Sequence, residues 1–325
     1  MTQGYKGIVT NTLVLIGIGS GLFGCGENTP TFSALADSNS FVQSADSIGN
    51  KTDILWVIDS SGSMGGEQAE LRDNFDVFIN DFVTKGFDYQ LAVTTCDAWR
   101  GDSFSEFKLG GVDGTSGFKI VTPETPDPIA AFKLNVVQGT TGSGTEKGKE
   151  SMLKALQNPA NAGFIRADSF VSIIIVTDED DDSADNNVEN YIAALDDLTG
   201  YSGSGPRRYS VNVVVNTAYA ETRYEDIVAA TDGLEQSIAE NFGTSFVDLS
   251  ANILQLTTQF FLDRAPVISS IEVIVNGQVV QQATDSVYDG WVYIEETNSI
   301  IFQGEALPEA GSNIIVNFDP KNLVN

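Results

Sequence analysis

Residues 54–63, Ile-Leu-Trp-Val-Ile-Asp-Ser-Ser-Gly-Ser, decide the fold. The first five are apolar and turn residues follow them, which predicts a fully buried strand of a parallel sheet. One carboxylate and two hydroxyl groups follow at alternate positions where the strand ends, on Asp59, Ser61 and Ser63. Such hard oxygen donors suit a small divalent cation such as Mg²⁺ or Mn²⁺. Because Asp and Ser also cluster in ordinary strand-to-helix turns, other segments must support this interpretation.

Two later segments bring further oxygen donors to similar positions. The glycine-rich loop 142–144 precedes Thr145 at the start of a predicted helix. The apolar run 170–176 predicts another buried strand, and Asp178 follows its end. Since the strand ends of an α/β sheet face one crevice, these segments are expected to converge there.

The D-x-S-x-S pattern at 59–63, together with Thr145 and Asp178, resembles the metal-ion-dependent adhesion site (MIDAS) of von Willebrand factor type A (vWA) domains. The resemblance implies an α/β fold over residues 51–263, with a doubly wound, mainly parallel sheet flanked by helices. It also implies one divalent cation, Mg²⁺ or Mn²⁺ with Ca²⁺ as the alternative. The implied metal ligands are Asp59, Ser61, Ser63, Thr145 and Asp178.

The chain departs from the family pattern after Thr145. Typical members continue with Asn or Asp and another hydroxyl residue, whereas this chain continues with Glu146, Lys147 and Gly148. Glu146 and Thr141 are therefore alternatives to Thr145 as the ligand from this loop. The Gly-Ser-Gly-x-Glu run resembles a subgroup of bacterial lipoproteins with type A domains.

The segment after Asp178 is strongly acidic. Asp180 and Asp182, together with Glu146, are expected to form an accessory acidic rim, either solvated or holding a weakly bound Ca²⁺. The spacing also resembles an EF-hand loop. Ser183, however, stands where that loop requires glycine, and a predicted strand rather than a helix precedes it.

Composition excludes several function classes. The 325 residues are 42% hydrophobic, which is typical of a globular protein, and carry a formal charge of -28 with no histidine. The missing histidine excludes Ser-His-Asp and Cys-His catalysis and His-ligated zinc. The acidic charge disfavours nucleic acid and anionic lipid as partners.

The N-terminal residues 1–24 predict an export signal, because one cation, Lys6, precedes a short and interrupted apolar stretch. The sequence ending in Cys25 resembles the lipobox of bacterial lipoproteins, which implies a lipoprotein signal peptide and lipidation of Cys25. A plain secretory signal is the alternative. Gly26 is not an inner-membrane retention residue, so we expect a lipid anchor in the outer membrane, on the periplasmic side or the cell surface. Residues 25–50 are polar and predict a flexible tether.

The remaining pattern completes the predicted domain organisation. We expect loops around short edge strands over 97–135, a short final strand at 246–249, and a last helix capped by Ser250. Cys96 is expected to be a packed residue. Beyond residue 264, five short strands predict a small β-sandwich-like module over 264–325, with Asn276-Gly277 as a hairpin turn.

Three classes of function remain after these exclusions, namely binding, catalysis and envelope assembly, and binding is favoured. Neutral hydroxyl ligands leave a cation electrophilic, so its open position would accept an acidic side chain of a protein or other acidic macromolecule. This is how the adhesion sites of the resembled family work. A hydrolase using Asp178, Glu179 and Asp180 is disfavoured, because consecutive residues diverge in direction. An envelope assembly scaffold without adhesion is the other alternative.

Overall fold

The computed structural model describes residues 37–42, 51–203, 207–216, 222–239, 242–284 and 286–321. The predicted signal peptide and Cys25 lie outside the described residues. Within the described ranges, no helix has the length and apolar character needed to cross a membrane.

The chain alternates strands and helices up to residue 257 and continues with strands. The helices are α1 (Gly65–Thr84), α2 (Asp102–Ser105), α3 (Pro128–Asn135), α4 (Gly148–Leu156), α5 (Val188–Thr199), α6 (Glu225–Ala230) and α7 (Phe242–Thr257). The strands are β1 (Asp37–Val42), β2 (Lys51–Ile58), β3 (Asp88–Thr95), β4 (Ile120–Val121), β5 (Phe170–Val176), β6 (Tyr209–Val215), β7 (Glu235–Ser237), β8 (Phe260–Phe261), β9 (Glu272–Val275), β10 (Gln278–Val280), β11 (Gly290–Ile294), β12 (Ser299–Gln303) and β13 (Asn313–Phe318).

The central sheet confirms the predicted fold class. Its six strands lie in the order β4-β3-β2-β5-β6-β7, and every neighbouring pair is parallel except β3 with β4. The strand β2 is central, and β3 and β4 follow it along the chain and extend the sheet on one side. The strands β5, β6 and β7 come next and extend it on the other side. This is a doubly wound sheet whose strand order reverses between β2 and β5.

Helices cover both faces of this sheet. Ile54, Trp56 and Ile58 of β2 pack with residues of α1, α3 and α7, whereas Leu55 and Val57 pack with residues of α4, α5 and α6. All residues of β5 and β6 are buried. Burial on both faces explains why these strands are continuous apolar runs rather than alternating patterns.

Trp56 is the centre of the larger core. Its ring meets those of Phe78, Phe132 and Phe246 edge to face, with centroid distances of 5.1, 5.6 and 5.8 Å. These rings come from α1, α3 and α7, so one β2 side chain joins three helices to the sheet. Edge-to-face packing places the positive ring edge against a negative face and adds to the gain from burial.

A partly buried network of ion pairs joins the amino ends of the strands. Arg166 donates through Nε to Asp53 Oδ1 at 2.7 Å and through Nη1 to Asp88 Oδ1 at 2.6 Å. Ser169 Oγ donates to Asp53 Oδ2 at 2.6 Å. The starts of β2 and β3 are thereby fixed to the loop that leads into β5.

The C-terminal strands form two small antiparallel sheets, with the orders β1-β13-β9-β10 and β11-β12-β8. The hairpin predicted at Asn276-Gly277 joins β9 to β10, and both turn residues have positive φ, 51° and 79°. This is the conformation that a two-residue hairpin turn requires, and Asn and Gly adopt it most readily.

The strands of this module extend beyond the predicted limits of 264–325. Asp37–Val42, which lie in the predicted tether, form a strand that pairs with β13. Pairing satisfies the backbone groups along an otherwise open edge of β13, so these six residues of the predicted tether belong to a sheet. Phe260–Phe261 also pair with β12, ahead of the predicted boundary.

The module contacts the amino-end edge of the central sheet. Ala310 N donates to the carbonyl of Lys85, directly after α1, at 3.1 Å. Gln259, just after α7, donates to Ser299 at 2.7 Å. The edge formed by the carboxyl ends of the parallel strands is the opposite one.

The prediction of a strand at 246–249 and a cap at Ser250 is wrong, because both lie inside α7. Phe246, Leu249 and Ile253 recur every three or four residues and share one buried helix face. Ser250 Oγ donates backward to the Val247 carbonyl at 3.0 Å, which is how a hydroxyl behaves inside a helix. The last strand of the central sheet is instead β7. The region 97–135 contains α3 in addition to the expected short edge strand.

Replacing Trp56 with alanine should lower the free energy of unfolding by about 3–5 kcal/mol, because a large cavity is left among three helices. Val83 is 53% exposed on α1, so Val83→Ala should change the same quantity by less than about 0.5 kcal/mol. Urea unfolding followed by far-UV circular dichroism measures both. Equal effects of the two substitutions would contradict a core centred on Trp56.

Candidate metal centre

The candidate site lies where the strand order of the central sheet reverses. Asp59 follows β2 directly, and its N–H donates to the Val176 carbonyl at the end of β5, at 2.9 Å. Ile58 and Val176 are register partners in the parallel pair. The residues that follow these two strands therefore lie side by side at the mouth of the crevice in which ligands of such sheets collect.

The Asp59 carboxylate is fully buried and held at both oxygens. Ser61 N donates to Oδ1 at 2.7 Å, and Thr177 Oγ1 donates to Oδ2 at 2.8 Å. Burial raises the pKa of Asp59, although both hydrogen bonds act in the opposite direction. Each carboxylate oxygen has two lone pairs, so these contacts orient the group and leave acceptor capacity unused.

The two predicted serine ligands lie together. Ser61 Oγ and Ser63 Oγ are 3.2 Å apart in the turn that leads into α1. Ser61 is 4% exposed, whereas Ser63 is on the surface. Their hydroxyl groups thus extend from the buried carboxylate of Asp59 toward solvent.

The glycine-rich loop packs directly on this turn. Gly142 N donates to the Ser60 carbonyl at 2.7 Å, and Ser143 N donates to Asp97 Oδ2 at 3.2 Å. A Cβ atom at Gly142 would lie 2.3 Å from Ser60 Oγ, so glycine permits this close approach. Half-buried Thr145 donates its N–H to Ser143 Oγ at 3.1 Å.

Glu146 lies inside the site rather than on the predicted rim. Its side chain is 2% exposed, and its carboxyl group lies within hydrogen-bonding reach of that of Asp59. Burial and then the negative charge of Asp59 raise the pKa of Glu146 to about 9. Its Oε1 atom is buried without a hydrogen-bond partner.

Asp178 supplies a second unpaired oxygen. Its Oδ1 atom is also buried without a hydrogen-bond partner. A buried acceptor without a donor is costly, so the Glu146 atom beside the buried Asp59 carboxylate fits a bound cation. Asp178 directly follows Thr177, which contacts Asp59. Among the described residues, no group of three or more acidic or cysteine side chains could hold a metal ion. A cation here would therefore also use the hydroxyl groups.

Two basic residues, Lys149 and Arg223, hold the acidic segment beyond Asp178 in place. Lys149 Nζ lies 3.3 Å from Asp181 Oδ2, and both side chains are buried. The Arg223 guanidinium donates to the carbonyls of Asp181 and Ser183, and its backbone N–H donates to Asp180 Oδ1 at 2.8 Å. Of the predicted rim residues, Asp182 is the one on the surface.

Gln68 positions the site, and the sequence analysis missed it. From α1, its amide N–H groups donate to the carbonyls of Asp59 and Gly139 at 2.8 and 2.9 Å. Its oxygen accepts from the N–H groups of Gln138 and Gly139 at 2.9 and 3.0 Å. Gln68 lies three residues before Leu71, on the apolar face of the predicted helix. A polar residue at such a position indicates a buried hydrogen-bonding role and could have revealed it. Thr177 was also missed, because it lies between the apolar run 170–176 and Asp178, whose carboxylate is the more obvious cation ligand.

Cys96 is buried as predicted, and burial raises the pKa of its thiol. The adjacent serine hydroxyl of Ser151 donates to its carbonyl at 2.7 Å. Cys96 therefore packs beneath the site, and its buried thiol lacks the exposure and the lowered pKa of a reactive cysteine.

No protein-family model matches the sequence, and no curated protein matches it. Similar solved structures include proximal thread matrix protein 1 from the mussel byssus, at 12% identity and a TM-score of 0.41, over 70% of this chain and 52% of that one. Another structure of that protein, with a zinc-occupied MIDAS motif, has 12% identity and a TM-score of 0.41 over 69% and 51%. The pilus adhesin SpaC from Lactobacillus rhamnosus GG, in an open conformation, has 10% identity and a TM-score of 0.40 over 86% of this chain and 42% of that one.

This chain therefore spans about half of the length of the byssus protein and less than half of the adhesin. At these identities and TM-scores the matches decide neither a family nor a function. The fold assignment rests on the strand order.

Gly142→Ala should lower the free energy of unfolding by about 1–3 kcal/mol, because the added methyl group would displace the turn that holds Asp59. Gly144→Ala is the matched control in the same loop, since a Cβ atom there meets nothing within 4 Å. Chemical denaturation of both variants measures the difference. Similar losses in the two variants would show that the loop does not pack on the 59–63 turn as described.

Proposed function

We propose that this chain is a binding protein that holds one divalent cation at this site and contacts a macromolecular partner through it. The proposal depends above all on one observation, the unpaired buried oxygen of Glu146 beside the buried Asp59 carboxylate. Asp178, which also has an unpaired buried oxygen, directly follows Thr177, and Thr177 contacts Asp59. A cation would satisfy these atoms and offset the repulsion between carboxylates that lie side by side.

Asp59, Ser61, Ser63 and Asp178 would hold the cation, together with one side chain from the glycine-rich loop. These donors are all oxygens, which favours Mg²⁺, Mn²⁺ or Ca²⁺ over softer metals. The cation supplies an electrophilic centre with a coordination position for an oxygen of the partner. We also propose that the chain belongs to the vWA family and that this site is a MIDAS.

The partner's contact group depends on the ligand from the glycine-rich loop. If that ligand is the hydroxyl of Thr145, the cation has two carboxylate ligands, Asp59 and Asp178, whose negative charges equal its positive charge. An acidic side chain of a protein partner would then bind at the open coordination position. If that ligand is Glu146, its carboxyl group adds negative charge around the cation. In either case the site lies at the edge opposite the C-terminal module, where a large partner can approach.

Binding is favoured over hydrolysis by the contacts of the acidic segment. Paired carboxylates for acid–base catalysis need to face one reacting bond. Asp180 instead accepts from the Arg223 N–H, and Asp181 pairs with Lys149. We therefore propose a non-enzymatic role.

We further propose that the protein is anchored in the cell envelope, in the outer membrane, by a lipid on Cys25. The support is the resemblance of the sequence before Cys25 to a lipobox and the polar composition of the stretch that follows it.

Isothermal titration of a form beginning at Asn28 with Mg²⁺, Mn²⁺ and Ca²⁺ should detect one cation site. Asp59→Asn should weaken it by about a hundredfold or more, because the central carboxylate is lost while the side chain keeps its shape. Asp182→Asn, which removes a nearby exposed carboxylate, should change affinity by less than about threefold. If none of the three cations binds the unsubstituted protein, the proposed function is wrong.

The same variants test whether the cation is used for binding a partner. Envelope extracts applied to immobilised protein should yield a protein that EDTA releases and that Asp59→Asn fails to retain. Asp182→Asn should retain it. Retention that is insensitive to both EDTA and Asp59→Asn would instead support a scaffold.

The lipid anchor predicts incorporation of a fatty-acid label when the full chain is expressed in a bacterial host. Cys25→Ser should abolish labelling, because the thiol that carries the acyl chain is removed. Cys96→Ser should retain the label, since that thiol is buried. A labelled Cys25→Ser protein would show that Cys25 is not the anchor.

A further inference from the structure

We propose that a cavity between the central sheet and the C-terminal module binds a neutral saccharide, without using the cation. The cavity has a volume of about 520 Å³, within the range of about 300–1,000 Å³ that is usual for small-molecule sites. It lies at the amino ends of the strands, because Phe170 and Tyr209, the first residues of β5 and β6, line it. The candidate cation site lies at the carboxyl ends, so this second site is separate from it.

The floor of the cavity is apolar and largely aromatic. Phe170, Tyr209 and Leu262 are buried there. Tyr201, which follows α5, and Phe261 of β8 are half-buried and add aromatic surface from the central domain and from the module. Such a floor suits the C–H face of a sugar ring, because contact removes apolar surface on both sides from water.

The rim of the cavity carries both hydrogen-bond donors and acceptors. Asp232, after α6, and Glu296, between β11 and β12, are exposed carboxylates. Arg207, Gln259 and Thr297 add a guanidinium, an amide and a hydroxyl group. Since each hydroxyl group of a sugar can donate and accept, a polyhydroxylated ligand can use all of these groups together.

Charges of both signs on this rim favour a neutral ligand. Arg207 donates through Nε and Nη2 to Asp196 at 2.8 and 3.1 Å, and its guanidinium lies 5.0 Å from the ring centroid of Tyr201. The guanidinium is thus held in place opposite the carboxylates of Asp232 and Glu296. An anionic ligand would be repelled by the carboxylates and a cationic one by the guanidinium, whereas hydroxyl groups bond to either.

Two rim residues are held in place by contacts of their own. Asp232 has a positive φ of 54°, and Asn252 Nδ2 donates to its carbonyl at 3.2 Å. The Gln259 amide donates to Ser299 Oγ at 2.7 Å, which fixes the end of α7 to β12. A rim that is ordered before binding lowers the entropy that a ligand must offset.

Saturation-transfer NMR titration of the full chain with glucose, galactose and N-acetylglucosamine tests the proposal. At least one of the three sugars should bind, and EDTA should change its affinity by less than about twofold, because the cation site is distant. Failure of all three to bind would overturn this inference and leave the proposed function intact. Loss of sugar binding with EDTA would overturn the assignment to this cavity.

Substitutions of lining residues test the location. Tyr201→Ala should weaken sugar binding by about fivefold or more, because aromatic surface is lost. Asp232→Asn keeps the shape and accepts the positive φ, and loss of the charged acceptor should weaken binding by about tenfold. Tyr288→Ala and Asp226→Asn, at exposed positions outside the cavity, are the matched controls and should change affinity by less than about twofold. Equal effects of lining and control substitutions would overturn the location.

Charged sugars test the preference for a neutral ligand. Glucosamine carries a cation where N-acetylglucosamine carries an amide, and glucuronate carries a carboxylate where glucose carries a hydroxymethyl group. The neutral member of the pair whose neutral sugar binds should bind at least about threefold more tightly than the charged member. Tighter binding of the charged member would overturn the assignment of a neutral ligand.

Discussion

The burial of the Asp59 carboxylate between β2 and β5 is the constraint on which the site depends. Parallel pairing brings the two strand ends together, so Asp59 is forced next to Thr177. The two oxygens of the Asp59 carboxylate accept from Ser61 N and Thr177 Oγ1, and burial nevertheless raises its pKa. The buried Glu146 carboxyl group lies beside it, and a cation between the two would offset their repulsion when both are ionised.

The acidic segment beyond Asp178 is held by one ion pair and by contacts to its backbone. In a chain with a formal charge of -28, Lys149 pairs with Asp181, and the Arg223 guanidinium donates to the carbonyls of Asp181 and Ser183. The side chains of Lys149 and Arg223 lie on the side of the crevice where the sequence predicts an acidic rim, either solvated or with a weakly bound Ca²⁺. Glu146 Oε1, by contrast, is buried without a hydrogen-bond partner, and its carboxyl group lies beside that of Asp59. Burial of two adjacent carboxyl groups distinguishes this site from the general acidity of the surface.

The fold class and the central part of the site could be predicted because they depend on local pattern. The buried strands β2 and β5 are continuous apolar runs, and the residues that follow them are placed by strand direction alone. The depth of Glu146 could not be predicted, since it results from the contact of its carbonyl with Asp182, 36 positions along the chain. The helix α7 was misjudged because a short apolar segment such as 246–249 suits a strand as well as a helix, and only its continuation with period 3.6 decides between them.

The two ends of the parallel strands carry different parts of the protein. The C-terminal module contacts the amino ends, through Ala310 and Gln259, and its strand β13 pairs with β1. The candidate site lies at the carboxyl ends, where Asp59 and Thr177 follow β2 and β5. Since parallel strands place their carboxyl ends at one edge, the direction of the strands alone separates the site from the module. The described part of the module therefore leaves the crevice accessible to a large partner.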